Sequence, residues 1–212
     1  MPETSAARDA ILSRIRHANA GVTASARESG YRNIQRAYQQ SSGMDRDTIL
    51  NVWIERLRDY DAQIFETTQQ GIADSIAVAL HAHGQKSAIV ADHFSQELLP
   101  EGFYWQREAS ATTDQLNTAE GALSTCEVAI AHTGTIVLKG VRKLTLLPDR
   151  YLCVVYQNQV VETVPEALRA LEQFATQPLT FISGPSATAD IEMTRIRGVH
   201  GPRFLDVVLV RD

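Results

Sequence analysis

An α/β protein built on an open, largely parallel sheet flanked by helices is the fold class that this sequence predicts, on three observations. From residue 62 onward, apolar runs of strand length alternate with helical patterns. The last run, Leu205 to Val210, is rich in β-branched residues, as a strand buried on both faces is. The chain has 212 residues, enough for one substantial core with an appended arm and too few for two full domains.

The elements follow in order. Ala7, Ile11, Ile15 and Ala18 recur at helical spacing behind Thr4 and Ser5, and Gly21 stops the pattern. Residues 22 to 45 turn polar, with Ser, Gln and Arg in excess and Tyr31 and Tyr38 dispersed among them. This stretch reads as an arm that is mobile or docks on another subunit. The predicted division is therefore 1–44 for the N-terminal helix and polar arm and 45–212 for the α/β domain. From Asp45 the set Ile49, Val52, Trp53 and Leu57 marks a helix, with Asp45 and Asp47 at its positive end. The run Ala62 to Phe65, the helical pattern Ile72, Ile76 and Leu80 ending at Gly84, and the run Ser87 to Ala91 form a β-α-β pattern.

Farther on, Glu127 to Ala131 and Thr135 to Leu138 read as strands joined by the short turn His132-Thr133-Gly134. Leu152 to Tyr156 is another strand. Thr163-Val-Pro-Glu166 has capping-box form and opens a helix carrying Leu168, Leu171 and Phe174, after which Leu179 to Ser183 returns to strand.

Bulk composition removes several function classes. Twenty Lys and Arg against 25 Asp and Glu leave a net charge of −5, which argues against nucleic acid or an anionic membrane as main partner. The start, Met-Pro-Glu-Thr-Ser, leads into a charged amphipathic segment rather than a secretory signal, and no transmembrane run follows. Cys126 and Cys153 are far apart in apolar stretches, as buried thiols in a reducing cytoplasm are. An iron-sulfur cluster needs about four thiolates, or histidine mixed with thiolate at close spacing, so no such centre is expected in this chain. His81 and His83 would not share a helix face, and no metal site is expected there. A G-x-x-x-x-G-K-[ST] loop, a G-x-G-x-x-G fingerprint and a G-x-S-x-G elbow are all lacking.

Three stretches carry candidate chemistry. Ser183-Gly-Pro-Ser-Ala-Thr-Ala-Asp190 leaves a strand, turns through Gly184-Pro185 and is predicted to enter a helix, whose free amides and the hydroxyls of Ser183, Ser186 and Thr188 suit a carboxylate or phosphate. The bland alternative is that Ser186 or Thr188 caps the helix. Asp190 competes with an anion for the same helix end, so it would hold a hydroxyl or a cation. The second stretch is Glu127 with His132-Thr133-Gly134-Thr135, where Gly134 supplies the turn and leaves both threonines near one end of a sheet. Against it stands a structural turn with His132 half exposed. The third is Gly198-Val-His200-Gly201-Pro202, in which Gly and Pro fix the backbone around one imidazole. Outside the carboxyl end of Leu179 to Ser183, the first and third stretches are predicted to form one anion pocket, with Gly184 allowing close approach of a ligand and Gly201 beside it.

These stretches resemble a known family. Gly121-Ala-Leu-Ser-Thr-Cys-Glu-Val-Ala-Ile-Ala-His-Thr-Gly-Thr-Ile-Val-Leu138, followed by Ser183-Gly-Pro-Ser-Ala-Thr-Ala-Asp-Ile-Glu192 and Gly198-Val-His-Gly-Pro202, is similar to LUD domains of the lactate utilisation type (LutC/YkgG). The resemblance covers about residues 45 to 212 and implies a Rossmann-like sheet of the kind shared by glucosamine-6-phosphate deaminase, ribose-5-phosphate isomerase and CoA-transferases (the NagB/RpiA group). It also implies an accessory or ligand-binding role in oxidation of L-lactate to pyruvate, with iron-sulfur clusters in partner subunits and a small carboxylate or phosphate as ligand. The alternatives are a stand-alone enzyme on a sugar phosphate or acyl-CoA, with Glu127, His132, Asp190 and His200 as acid, base or nucleophile, and a non-catalytic interaction domain. The sequence departs from the family pattern at His132, where relatives carry Glu, and at Ala187, where Arg follows S-G-P-S.

Overall fold

The computed structural model describes residues 3–41, 43–140, 142–189, 195–198 and 200–211. The chain divides into two compact units, Met1–Gln39 and Gln40–Asp212. The first carries α1 (Glu3–Asn19) and α2 (Ala24–Arg32), and α2 buries no residue. Composition had marked residues 22 to 45 only as a polar arm. The helix forms within it because Thr23 caps the amide of Ala26 at 3.1 Å and Glu28 pairs with Arg32 one turn on at 2.9 Å.

The second unit runs α3 (Arg46–Asp59), β1 (Gln63–Thr67), α4 (Ile72–His81), β2 (Ser87–Val90), β3 (Tyr104–Arg107), α5 (Thr113–Thr118), β4 (Ala122–Thr125), β5 (Val128–Ile130), β6 (Thr135–Lys139), β7 (Arg150–Tyr156), β8 (Val160–Val161), α6 (Val164–Ala170), β9 (Leu179–Ile182), β10 (Ala187–Ala189), β11 (Arg195–Arg197) and β12 (Phe204–Val210). Helix starts obey the capping chemistry read above. The Asp45 carboxylate accepts from the Thr48 amide at 2.9 Å and its hydroxyl at 2.6 Å, which holds that carboxyl below its ordinary range. The capping box of Thr163 and Glu166 is present at α6.

Among the described residues the strands form three sheets. The main one has six strands in the order β1-β12-β7-β4-β2-β3, all parallel, as the alternation of strands and helices requires. Its second strand, β12, shows why the apolar run is continuous: Leu205, Val207 and Leu209 pack with Leu50, Trp53 and Leu57 of α3, whereas Val208 and Val210 pack with Ile72, Ile76 and Leu80 of α4. Successive side chains enter different cores, so β12 is apolar on both faces apart from Asp206.

Two readings need correction. Leu179 to Ser183 is not a strand of the parallel sheet. As β9 it pairs antiparallel with β6 in a second sheet, β8-β5-β6-β9, so the rule that ligands collect at the carboxyl ends of parallel strands does not apply to it. Nor does Ser183 to Ala189 open a helix: Ala187–Ala189 is β10, antiparallel to β11 with Ala187 opposite Arg197. A partner strand six to ten residues downstream pairs with this segment in place of a helix start, and such pairing is invisible to local pattern. The hairpin of β5 and β6 is formed as read.

Candidate functional site

The turn after β9 is shaped by Gly184. Its φ is +88°, and a Cβ there would lie 2.4 Å from Cβ of Tyr60, so close packing against the end of α3 requires the glycine. Beyond Pro185 the two C-terminal motifs close on one another. Ser186 N–H donates to the Pro202 carbonyl at 2.8 Å, Gly198 N–H donates to the Ser186 carbonyl at 2.9 Å, and His200 N–H donates to Ser186 Oγ at 3.2 Å. The Ser186 hydroxyl has therefore spent an acceptor site but keeps its proton for a ligand.

Between the motifs lies a cleft of about 250 Å³ lined by Ser183, Gly184, Pro185, Ser186, His200 and Gly201, with Arg142, Thr145 and Tyr151 completing it. The juxtaposition predicted from sequence is thus present, though a hairpin and not a helix builds it. No ion pair among the described residues includes Arg142, which lines the cleft together with Ser183, Ser186 and His200. That set complements a small anion. Thr188 has its backbone in β10 opposite Ile196, and Asp190 lies outside the described residues.

The His132-Thr-Gly-Thr135 turn joins this site through hydroxyls. Thr133 Oγ1 and Thr135 Oγ1 are 2.7 Å apart, and Thr135 Oγ1 and Ser183 Oγ are also 2.7 Å apart. Gly134 adopts φ +58°, and a Cβ there would meet Cβ of Arg56 at 2.7 Å, so this turn too is seated on α3. His132 does not line the anion cleft. Its Nε2 lies 3.4 Å from Oε1 of Glu162, whose side chain is 3% exposed against 41% for the imidazole. Glu127 is drawn away as well, pairing at 3.1 Å with Lys139, whose ammonium sits 4.1 Å from the centre of the Phe174 ring. The four acid–base candidates are therefore not assembled as one set: His200 lines the cleft, His132 faces Glu162, Glu127 pairs with Lys139, and Asp190 lies outside the described residues.

Sequence reasoning missed Arg142, Tyr151 and Glu162. The basic doublet Arg142-Lys143 after Gly140 was the available signal for the first. Glu162 offered none, because it meets His132 across thirty residues of chain. Also missed was Asp206, buried within β12, whose Oδ2 lies 3.4 Å from His83 Nε2 and 3.6 Å from Arg150 Nη1. Burial pushes its carboxyl up, while His83 and Arg150 pull it back. Both cysteines are free and buried as read, and burial beside Cys153 raises the Cys126 thiol. No helix of the described residues is long and apolar enough to cross a membrane.

Known proteins match both the sequence and this architecture. The LUD domain description fits residues 2–210. A lactate utilization protein C from Deinococcus radiodurans is 36% identical over 181 residues, covering 82% of this chain and 84% of that protein. Another of the same name from Anoxybacillus flavithermus is 26% identical over 184 residues, covering 80% and 84%. A crystal structure of a DUF162 family protein from Deinococcus radiodurans superposes with a TM-score of 0.69 at 33% identity, covering 79% of this chain and 99% of that one. With the match extending over nearly its whole length, this chain belongs to the LUD domain family.

Proposed function

We propose that the chain serves lactate utilisation as an accessory, ligand-binding subunit, its cleft between Ser183–Ser186 and Gly198–Pro202 taking the carboxylate of lactate or pyruvate. The shared name of its relatives supports the pathway. The observation that carries the ligand class is the convergence of Arg142, His200 and the Ser183 and Ser186 hydroxyls on one small cleft. A guanidinium offers two parallel donors to a carboxylate, and the serine hydroxyls fix its orientation. In this reading electrons pass through iron-sulfur partner proteins, this chain carries no redox group of its own, and the complex works in the cytoplasm.

Calorimetry with L-lactate and pyruvate tests it. Arg142→Ala should weaken binding by about tenfold or more and His200→Ala by less, since a charge-assisted hydrogen bond contributes roughly 1.5–3 kcal/mol. Affinity unchanged in Arg142→Ala would move the carboxylate elsewhere. Native pull-down of the full chain should recover iron-sulfur proteins, and turnover of a phosphosugar or thioester by the chain alone would replace the subunit reading with the enzyme one.

A further inference from the structure

The parallel sheet has its own binding position, and the anion cleft does not occupy it. In the order β1-β12-β7-β4-β2-β3, the chain leaving β2 runs outward to β3, while the chain leaving its neighbour β4 passes through the second sheet to β7 on the other side. Adjacent strands whose carboxyl-end connections diverge leave a crevice between them, the topological switch point at which open α/β sheets hold ligands. Here the crevice is a cavity of about 250 Å³, formed by Ala91, Asp92 and His93 after β2 and by Ser124 and Thr125 at the end of β4, and walled by Lys139 of the second sheet. Thr145, Tyr151 and Thr180 separate it from the anion cleft, and neither Ser183 nor His200 reaches it.

The wall chemistry of this cavity differs from that of its neighbour. Glu108 lines it with Asp92, and Oε1 of Glu108 is buried without a hydrogen-bond partner. Arg107, the nearest cation in sequence, is committed elsewhere: it donates to the carbonyls of Ala91 at 3.2 Å and Phe94 at 2.7 Å and to Gln96 Oε1 at 2.7 Å. Asp92 accepts only from the Ala109 amide, at 3.0 Å, among the described residues. The Ser124 hydroxyl donates to the Thr125 carbonyl at 3.0 Å, so the 2.7 Å contact with Tyr151 has the phenol donating and leaves a phenolic lone pair as acceptor.

The wall then selects the ligand. An anion meets Asp92 and Glu108, while the ammonium of Lys139 is already held by Glu127 at 3.1 Å, and much of the remaining polar lining, Ser124, Thr125, Thr145, Tyr151 and Thr180, is hydroxyl. Carboxyl acceptors beside hydroxyls suit an uncharged molecule with several hydroxyls, each able to donate to a carboxyl oxygen and accept from a neighbour. We propose that the switch-point cavity between β2 and β4 is a second ligand site, built for a small uncharged polyol, with Asp92 and Glu108 as its anchoring groups.

Amide chemical shifts of the full chain, titrated with glycerol, ribitol and myo-inositol, test the assignment, with L-lactate and butylammonium as charged comparators. At least one polyol should move the amides of Asp92, His93, Ser124 and Thr125 in a saturable way while leaving those of Ser186 and His200 in place. L-lactate should do the reverse. In Glu108→Ala the polyol affinity should fall about tenfold, as the loss of one hydrogen bond to a charged group implies. Should that variant not fold, Thr125→Val, which removes a wall hydroxyl while keeping the volume, should also weaken binding. The proposal is overturned if no polyol moves the switch-point amides, if butylammonium or lactate moves them instead, or if both variants bind the polyol as the parent chain does. Lactate binding in the other cleft survives or fails independently of each of these outcomes.

Discussion

The two ends of the parallel sheet treat buried carboxyl groups in opposite ways. At the amino end, Asp206 stands between His83 and Arg150, and Arg150 in turn lies over the Phe204 ring at 4.2 Å. At the carboxyl end, Glu108 faces Asp92, and burial together with that like charge raises its carboxyl above the ordinary range. His132 and Glu162 are an intermediate case, one buried acid against one half-exposed imidazole. A charge answered from within holds structure together, whereas one left facing a cavity costs stability and is kept where a ligand can answer it.

Removing partners should grade the three sites in that order. Arg150→Met leaves Asp206 facing His83 alone and should cost about 3 kcal/mol in chemical denaturation, because an uncompensated buried charge is expensive. Adding Asp206→Asn should return a large part of that loss. If the double variant is no better than the single one, packing on Phe204 and not charge explains the effect. His132→Ala should cost about 1 kcal/mol or less, since its imidazole is partly screened by water.

Glu108→Gln should have the opposite sign. A carboxyl whose folded pKa is raised gives stability that is fully present below its unfolded pKa and lost as pH rises through the folded value. The neutral amide escapes that loss, so the variant should melt slightly higher than the parent at pH 8, by on the order of 1–3 °C, and no higher at pH 3.5. A lower melting temperature at pH 8 would mean that Glu108 is answered by an internal cation, and the contrast between the two ends of the sheet would disappear.

Gly184 has a packing role that the sequence alone does not reveal. The Gly-Pro turn was legible, but its glycine packs on Tyr60. Gly184→Val should therefore lower the melting temperature whether or not a ligand is present, because a β-branched residue at φ +88° is strained and its Cβ meets fixed atoms.

What the sequence determined by itself is whatever rests on contacts between near neighbours and on periodicity. The capping box of Thr163 and Glu166, the β5–β6 hairpin around Gly134, and the burial of the Leu205 to Val210 run on both faces all follow from residues a few places apart. The two LUD motifs could likewise be read as strings, and the meeting of Ser186 with His200 could be guessed from them. Tertiary structure alone decided the rest. Whether Ala187–Ala189 became helix or strand depended on a partner at Arg195–Arg197, and Asp206 acquired its meaning only when His83 and Arg150 arrived from distant segments. The same holds for the switch point, which exists because of the order in which the strands lie side by side. Backbone pairing and charge compensation act through space at a few ångströms, and a chain order carries no record of which distant groups will come within that range.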